Sequence, residues 1–114
     1  MVSSMQTSLS GIRAAIDRQD LSARNMANVN SDGYKSYTAR SVEGEKGGVK
    51  VETGRDDSEG SLYAKGDGTL AESSNVDVAR ELTYQISAGH QMGANVVALK
   101  TADKMIGTLL DIMA

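Results

Sequence analysis

The sequence predicts a mainly α protein: two long amphipathic helices, one at each end, with a polar, glycine-rich segment between them. Three observations predict it. Met5, Leu9, Ile12, Ile16, Gln19, Ala23, Met26 and Asn30 follow alternating steps of four and three. Ala79, Leu82, Ile86, Gly89, Gly93 and Val96 do likewise, and that stripe runs on through Leu99, Ala102, Ile106, Leu109 and Met113 with one shortened step. Residues 31–74 hold eight of the twelve glycines. Four-three spacing is that of a helical seam that packs on other helices. Nothing in the middle is large or apolar enough to cover both seams, so other copies or other proteins are expected to cover them.

Taken in order, residues 3–28 read as the first helix. Ser3 with Gln6 fits a capping box, and no proline interrupts. Asn28, Asn30, Ser31, Asp32 and Gly33 then crowd together, and residues that tolerate left-handed backbone or bond locally to it end the helix there. In the middle, Val49–Thr53 and Ser61–Ala64 read as short strands around a turn at 54–60, which predicts a small β-hairpin or a loop that orders on assembly. Ser74-Asn75-Val76-Asp77 reads as a second capping box, with Asp77 meeting the helix dipole. From there a helix runs to the C-terminus with no breaker stronger than glycine. The organisation is thus 1–30 helix, 31–74 turn and insert, 75–114 helix.

Composition limits the core. Thirteen alanines swell the 39% hydrophobic fraction, there is no Trp or Phe, and four tyrosines are the only aromatics. A freestanding globule of this kind is marginal. Net charge is −3, distributed as +1 over residues 1–30, −3 over 31–74 and −1 over 75–114. No basic patch follows a phosphate backbone, so nucleic acid is not an expected partner. No apolar run reaches the roughly 18 residues of a membrane span. The N-terminus lacks the basic start, apolar stretch and small-residue site of a secretory signal, so export, if it occurs, is expected to leave no cleaved leader.

The chemistry-bearing residues are sparse. With no cysteine and a single histidine, neither thiolate sites nor an HExxH site can form, and no His-based triad is expected. His90 reads as a polar residue on a helix face. Asp56, Asp57 and Glu59 miss the spacing of a calcium loop, and Gly44, Gly47 and Gly48 lack the Lys-Ser/Thr of a P-loop. No catalytic residue, cofactor or metal is expected. Gly89 and Gly93 are different. Each costs a helix up to about 1 kcal/mol relative to alanine, and close approach by another helix is one reason to keep them. The seam methionines Met5, Met26, Met105 and Met113 read as helix-core filling.

Two stretches then carry a resemblance. Leu21-Ser22-Ala23-Arg24-Asn25-Met26-Ala27-Asn28-Val29-Asn30-Ser31-Asp32-Gly33-Tyr34-Lys35 closely resembles the N-terminal signature of the bacterial flagellar rod and hook family. Ser74-Asn75-Val76-Asp77, Ala94-Asn95, Thr101-Ala102-Asp103-Lys104-Met105 and Thr108-Leu109-Leu110 resemble its C-terminal signature. The resemblance implies that the terminal helices pair as an antiparallel coiled coil lining an axial tube. It implies a structural subunit of the basal-body rod, crossing the periplasm and exported through the flagellar type III apparatus. The partners it implies are further copies and other rod proteins. Residues from Asn28 to Tyr37 would pack between subunits, and 38–74 would face outward. The short middle segment resembles a proximal-rod protein of the B or C type. Gly47-Gly48-Val49-Lys50-Val51 resembles the C type, whereas Thr101-Ala102-Asp103 is closer to distal rod and hook members.

Seam and signature together nominate an assembly surface: Leu9, Ile12, Ile16, Asn25, Met26, Asn28, Gly33, Tyr34, Asn75, Leu82, Ile86, Gly89, Gly93, Asn95, Leu99, Ile106 and Leu109. Three positions depart from the family pattern. Asp32 replaces a proline, which implies a less rigid turn; Met92 replaces an aromatic; Gly89 and Gly93 replace longer polar residues. The alternatives are a soluble helical adaptor or export chaperone, which needs the seams but not the signature at 25–35, and a small peptidoglycan-acting enzyme, for which no catalytic acid is evident.

Overall fold

The computed structural model describes residues 2–114. The elements are α1 (Val2–Ala27), β1 (Tyr37–Glu43), β2 (Val49–Arg55), β3 (Leu62–Ala64), β4 (Leu70–Glu72) and α2 (Val78–Met113). α1 stops where its sequence turns to asparagine and glycine. The Asn28 amide donates back to the Arg24 carbonyl, the Ser31 hydroxyl donates to Asn28, and Gly33 takes φ +69°. That left-handed value suits glycine. The start differs from the sequence reading. The helix is already formed at Val2, so Ser3 lies in its first turn, where its carbonyl accepts from the Thr7 hydroxyl.

The start of α2 is also displaced from the expected box. Asp77, not Ser74, is the cap: it sits in extended backbone and accepts from the Ala79 and Arg80 amides, so the helix begins at Val78 rather than 75. Ser74 instead accepts from Val76 in a local turn, and Asn75 is engaged elsewhere.

The middle contains two hairpins rather than one. β1 pairs antiparallel with β2 over Tyr37↔Arg55 to Glu43↔Val49, and β3 pairs with β4 over Leu62↔Glu72 to Ala64↔Leu70. The two strands read from the sequence, around 49–53 and 61–64, are therefore both strands but not partners. Each pairs with a segment whose composition gave no strand signal: β1 has two charged residues and one apolar branched side chain, and β4 is three residues long.

α1 and α2 run antiparallel, with Gly11 beside Asn95, Ser22 beside Glu81 and Gln85, and Arg18 beside Gln91. The line of α1 turned to its partner is Ser8, Gly11, Ala15, Arg18, Ser22 and Asn25. That of α2 is Glu81, Gln85, Ala88, Met92, Asn95, Leu99, Ala102 and Ile106. Both lines step by four and three. They are not the lines of largest side chains. The α2 apolar stripe runs beside the packed line through Leu82, Ile86, Gly89 and Gly93 and joins it only from Leu99 onward. The shortened step in the sequence marks that junction.

Within the helix pair the close approach is at Gly11, and Gly89 and Gly93 lie toward the open side. A Cβ on Gly11 would lie 2.7 Å from the Asn95 side chain, whereas one on Gly93 would meet nothing within 4 Å.

The buried apolar side chains are Ala14, Ala15, Leu21 and Ala88, three of them alanine. The molecule measures 79 × 24 × 14 Å with a radius of gyration of 20.2 Å. A compact chain of this length would have about 13 Å. Its accessible surface is 7794 Å², against about 6,000 Å² for a globular monomer of the same mass.

Candidate functional site

The first feature of the site is a polar latch behind the helix pair. Asn25, almost fully buried, uses its side chain as a strand would use its backbone. Oδ1 accepts from the Tyr37 amide at 3.0 Å, and Nδ2 donates to the Tyr37 carbonyl at 2.7 Å. The same amide donates to Glu81 Oε1 at 3.0 Å and accepts from the Tyr34 hydroxyl at 3.1 Å. Glu81 is equally buried, and the Ser22 hydroxyl donates to its carbonyl at 3.1 Å. Buried polar groups without partners are costly, and one amide here satisfies α1, β1 and α2 at once. Burial raises the Tyr34 hydroxyl above its ordinary range, so it stays a proton donor.

A second latch joins the turn to the start of α2. Asn75 Oδ1 accepts from the Ser36 amide at 2.7 Å, and its Nδ2 donates to the Asp56 and Ser58 carbonyls. Gly33 donates to the Glu72 carbonyl, and Lys35 Nζ donates to Glu72 Oε1 at 2.6 Å, which also accepts from the Gly60 amide. Lys35 first, then that amide, holds the Glu72 carboxyl below its usual range. At Asp32 the turn makes side-chain contacts of its own. Its carboxylate accepts from the Tyr63 hydroxyl at 2.7 Å and pairs with Lys65 at 3.1 Å, which ties β3 to the turn in place of a rigid proline. The Tyr63 bond, then Lys65, lowers the Asp32 carboxyl.

The second feature is the difference between the two flanks of the helix pair. On one flank, Ala14 and Leu21 of α1 lie under β1 and β2. On the other, Ile12, Gln19 and Met26 of α1 stand beside Leu82, Gly89 and Val96 of α2. Gln19 fixes that alignment: it donates to the Gln85 carbonyl, and its amide nitrogen lies 3.7 Å from where a Cβ on Gly89 would be. Outside this row stand Leu9 and Ile16 of α1 and Ile86 and Gly93 of α2. Leu9 is 40% exposed, Ile16 45%, Leu82 46% and Ile86 64%. The two helices thus share one open apolar face, with a gap in its ridge at Gly89 and Gly93. Beyond the reach of α1, the end of α2 carries Leu109, Leu110, Ile112 and Met113, all exposed.

The residues nominated from sequence therefore divide between the open face, the packed line, the latches and the turn. Leu9, Ile16, Leu82, Ile86, Gly93 and Leu109 are open, and Ile12, Met26 and Gly89 are half-open. Asn95, Leu99 and Ile106 lie on the line packed within the pair. Asn25, Tyr34 and Asn75 form the latches, while Asn28 and Gly33 shape the turn. Glu81, Ser22, Gln85, Lys35 and Glu72 were not foreseen. The unbroken four-three lines from Ser8 to Asn25 and from Glu81 to Ile106 were the available sign of the first three. Among the described residues no group of three His, Cys, Asp or Glu side chains is placed to hold a metal, and no helix is long and apolar enough to cross a membrane. His90 is exposed on α2.

With this geometry in view, residues 67–112, from the turn before β4 through almost all of α2, match the family described as flagellar basal body rod FlgEFG protein C-terminal. Over residues 67–112 the chain is similar to the flagellar basal-body rod family. Comparison with curated proteins gives no match. The matched stretch contains Glu72, Asn75, Asp77 and Glu81, the α2 side of both latches. Among the residues they bind, Asn25 and Gly33 to Lys35 lie in the segment read from sequence as the N-terminal signature, and Ser36 directly follows it. A structural role in the flagellar basal-body rod follows from the family, with other rod proteins as partners.

Proposed function

We propose that this protein is a rod subunit that assembles side by side with copies of itself and homologous rod proteins into a hollow helical shaft. One observation carries the reading: over much of its length the pair is zipped by small and polar side chains, so Leu9, Ile16, Leu82 and Ile86 remain on an open face. Burying them in neighbours supplies the driving force that the monomer forgoes. The elongated shape supports the same reading, since a rod-like subunit offers length for lateral contact. The short middle segment supports a proximal position in the rod.

Export through the flagellar type III apparatus, without leader cleavage, belongs to this proposal, as does the absence of a catalytic role. The role is mechanical. Tagged protein should co-purify with basal bodies and accumulate in the cytoplasm when flagellar export is blocked. Recovery as a soluble cytoplasmic complex in exporting cells would favour a helical adaptor instead. Clearing of peptidoglycan in a zymogram would overturn the non-enzymatic reading.

A further inference from the structure

Both hairpins are two-stranded and leave strand edges open, and the free edges of β1 and β3 match. In the first hairpin, the Asp56 amide donates to the Ser36 carbonyl and the Gly44 amide to the Gly48 carbonyl. Antiparallel pairs alternate, so Thr38, Arg40 and Val42 bond to β2, while Tyr37, Ala39 and Ser41 turn their N–H and C=O outward. Asn25 takes both groups of Tyr37. No described group takes those of Ala39 and Ser41. In the second hairpin, Lys65 bonds to Thr69 and Ser73 to Ser61, so Leu62 and Ala64 of β3 face outward. On β4 the outward carbonyl of Glu72 is taken by Gly33.

The open edge of β1 borders a groove rather than bulk solvent. α1 floors it, with Arg18, Leu21 and Ser22 in a cavity of ≈ 280 Å³ walled by Ala39 and Tyr84. A second cavity of ≈ 610 Å³ continues it past Ser41, Gln91 and Asn95. No Cα of β1 comes within 8 Å of a Cα of α2, so the two walls stand apart. The face of the first hairpin that bears Ala39, Ser41 and Val51 looks toward α1. The β3–β4 hairpin carries Leu62 (70% exposed) and Leu70 (73% exposed) on one face, with nothing covering either.

We infer that β3 of a second copy adds to the free edge of β1 in this groove, antiparallel, with Ser41 opposite Leu62 and Ala39 opposite Ala64 of that copy. The pairing satisfies the edges on both sides by strand addition. Directly paired residues share a face, so Leu62 and Leu70 of the incoming hairpin turn onto the helices. The two-stranded cover over α1 becomes a four-stranded layer across both helices. Donor and acceptor surfaces differ, so the contact is head-to-tail and propagates without closing. The inference rests on the rod reading, and it names a contact that reading does not require.

The absence of native cysteine makes the test clean. Chains bearing Ser41→Cys and chains bearing Leu62→Cys are mixed, assembled and oxidised. A hydrogen-bonded antiparallel pair has Cα atoms about 5.5 Å apart, within disulfide reach. A disulfide dimer between the two variants is expected, and neither variant alone should cross-link. In parallel, Ala39→Pro removes an outward N–H that β2 does not use. It should leave the circular dichroism of the monomer unchanged and raise the protein concentration needed for assembly at least tenfold. Assembly with neither cross-link nor effect of Ala39→Pro overturns the strand pairing and leaves the rod reading standing. A chain that never associates with itself, at any concentration, overturns both.

Discussion

Leu82 and Ile86 stand on the open face, and replacing both with aspartate separates the stability of the monomer from that of the assembly. Burying a leucine or isoleucine fully contributes about 1.5–3 kcal/mol. With 46% of Leu82 and 64% of Ile86 still exposed, assembly has roughly 1.7–3.3 kcal/mol left to gain from the pair. Every 1.4 kcal/mol is a factor of ten in affinity, so Leu82→Asp/Ile86→Asp should weaken subunit contacts by roughly 15- to 200-fold, before the cost of burying two carboxylates is added. Parts of both side chains are covered within the monomer, so by the same measure its unfolding free energy in urea should fall by about 1.4–2.7 kcal/mol while the fold persists. Sedimentation velocity reads the first quantity and circular dichroism the second. Motility of a strain carrying the variant gives the cellular outcome, which should be loss of swimming. A variant that assembles like the parent, or a monomer that unfolds outright, would refute the assignment of this face.

Three other outcomes follow from the same geometry. Asn25→Ala leaves the Tyr37 amide and the Glu81 carboxylate without their partner, so it should cost about 2–4 kcal/mol in urea unfolding; a loss under 1 kcal/mol would show that the latch is dispensable. Gly93→Ala adds a Cβ that meets nothing within 4 Å, so it should stabilise α2 by up to about 1 kcal/mol yet weaken assembly, because it fills the gap in the ridge; stability and assembly rising together would contradict that use of the gap. Asp56 is held below the usual carboxylate range by the Ser58 amide and hydroxyl, and Asp32 and Glu72 are lowered by the contacts described above. These groups favour the fold when ionised. Their contribution is present above about pH 4, and it is lost as pH falls through their lowered values. Nuclear magnetic resonance signals of Tyr63 and Gly60 should shift in acid before the helical ellipticity falls.

The helices were legible because their period is local. An apolar residue every three or four positions, uninterrupted by proline, is visible without knowing what it touches. The phase of packing was not visible. The apolar stripes mark the faces expected to meet other subunits and do not reveal the inner line, to which the chain turns Ala15, Ser22, Asn25, Gln85 and Ala88 while Leu82 and Ile86 stay outside. Small side chains let two helices approach, and an amide can replace apolar area when its bonds are complete. Such completeness is a property of three dimensions, because Asn25 must meet Tyr37 and Glu81 from distant parts of the sequence. The strand pairing was missed for a related reason. Val49 to Thr53 announced itself by β-branched residues, but its partner at Tyr37 to Glu43 is held by hydrogen bonds and by α1 beneath it rather than by strand propensity. The capping positions erred by a few residues because Ser, Asn and Asp all offer a suitable oxygen, and only the path of the chain selects Asp77.

The Asn25 latch has a mechanical consequence. Contacts between greasy surfaces resist being pulled apart, but they are non-directional and allow sliding. Hydrogen bonds depend on angle as well as distance, and the pair between one amide and both backbone groups of Tyr37 resists shear along the helix axis. Force applied to the first hairpin therefore reaches the helices through a short, directional bracket seated beside Glu81, and the two parts move as one piece.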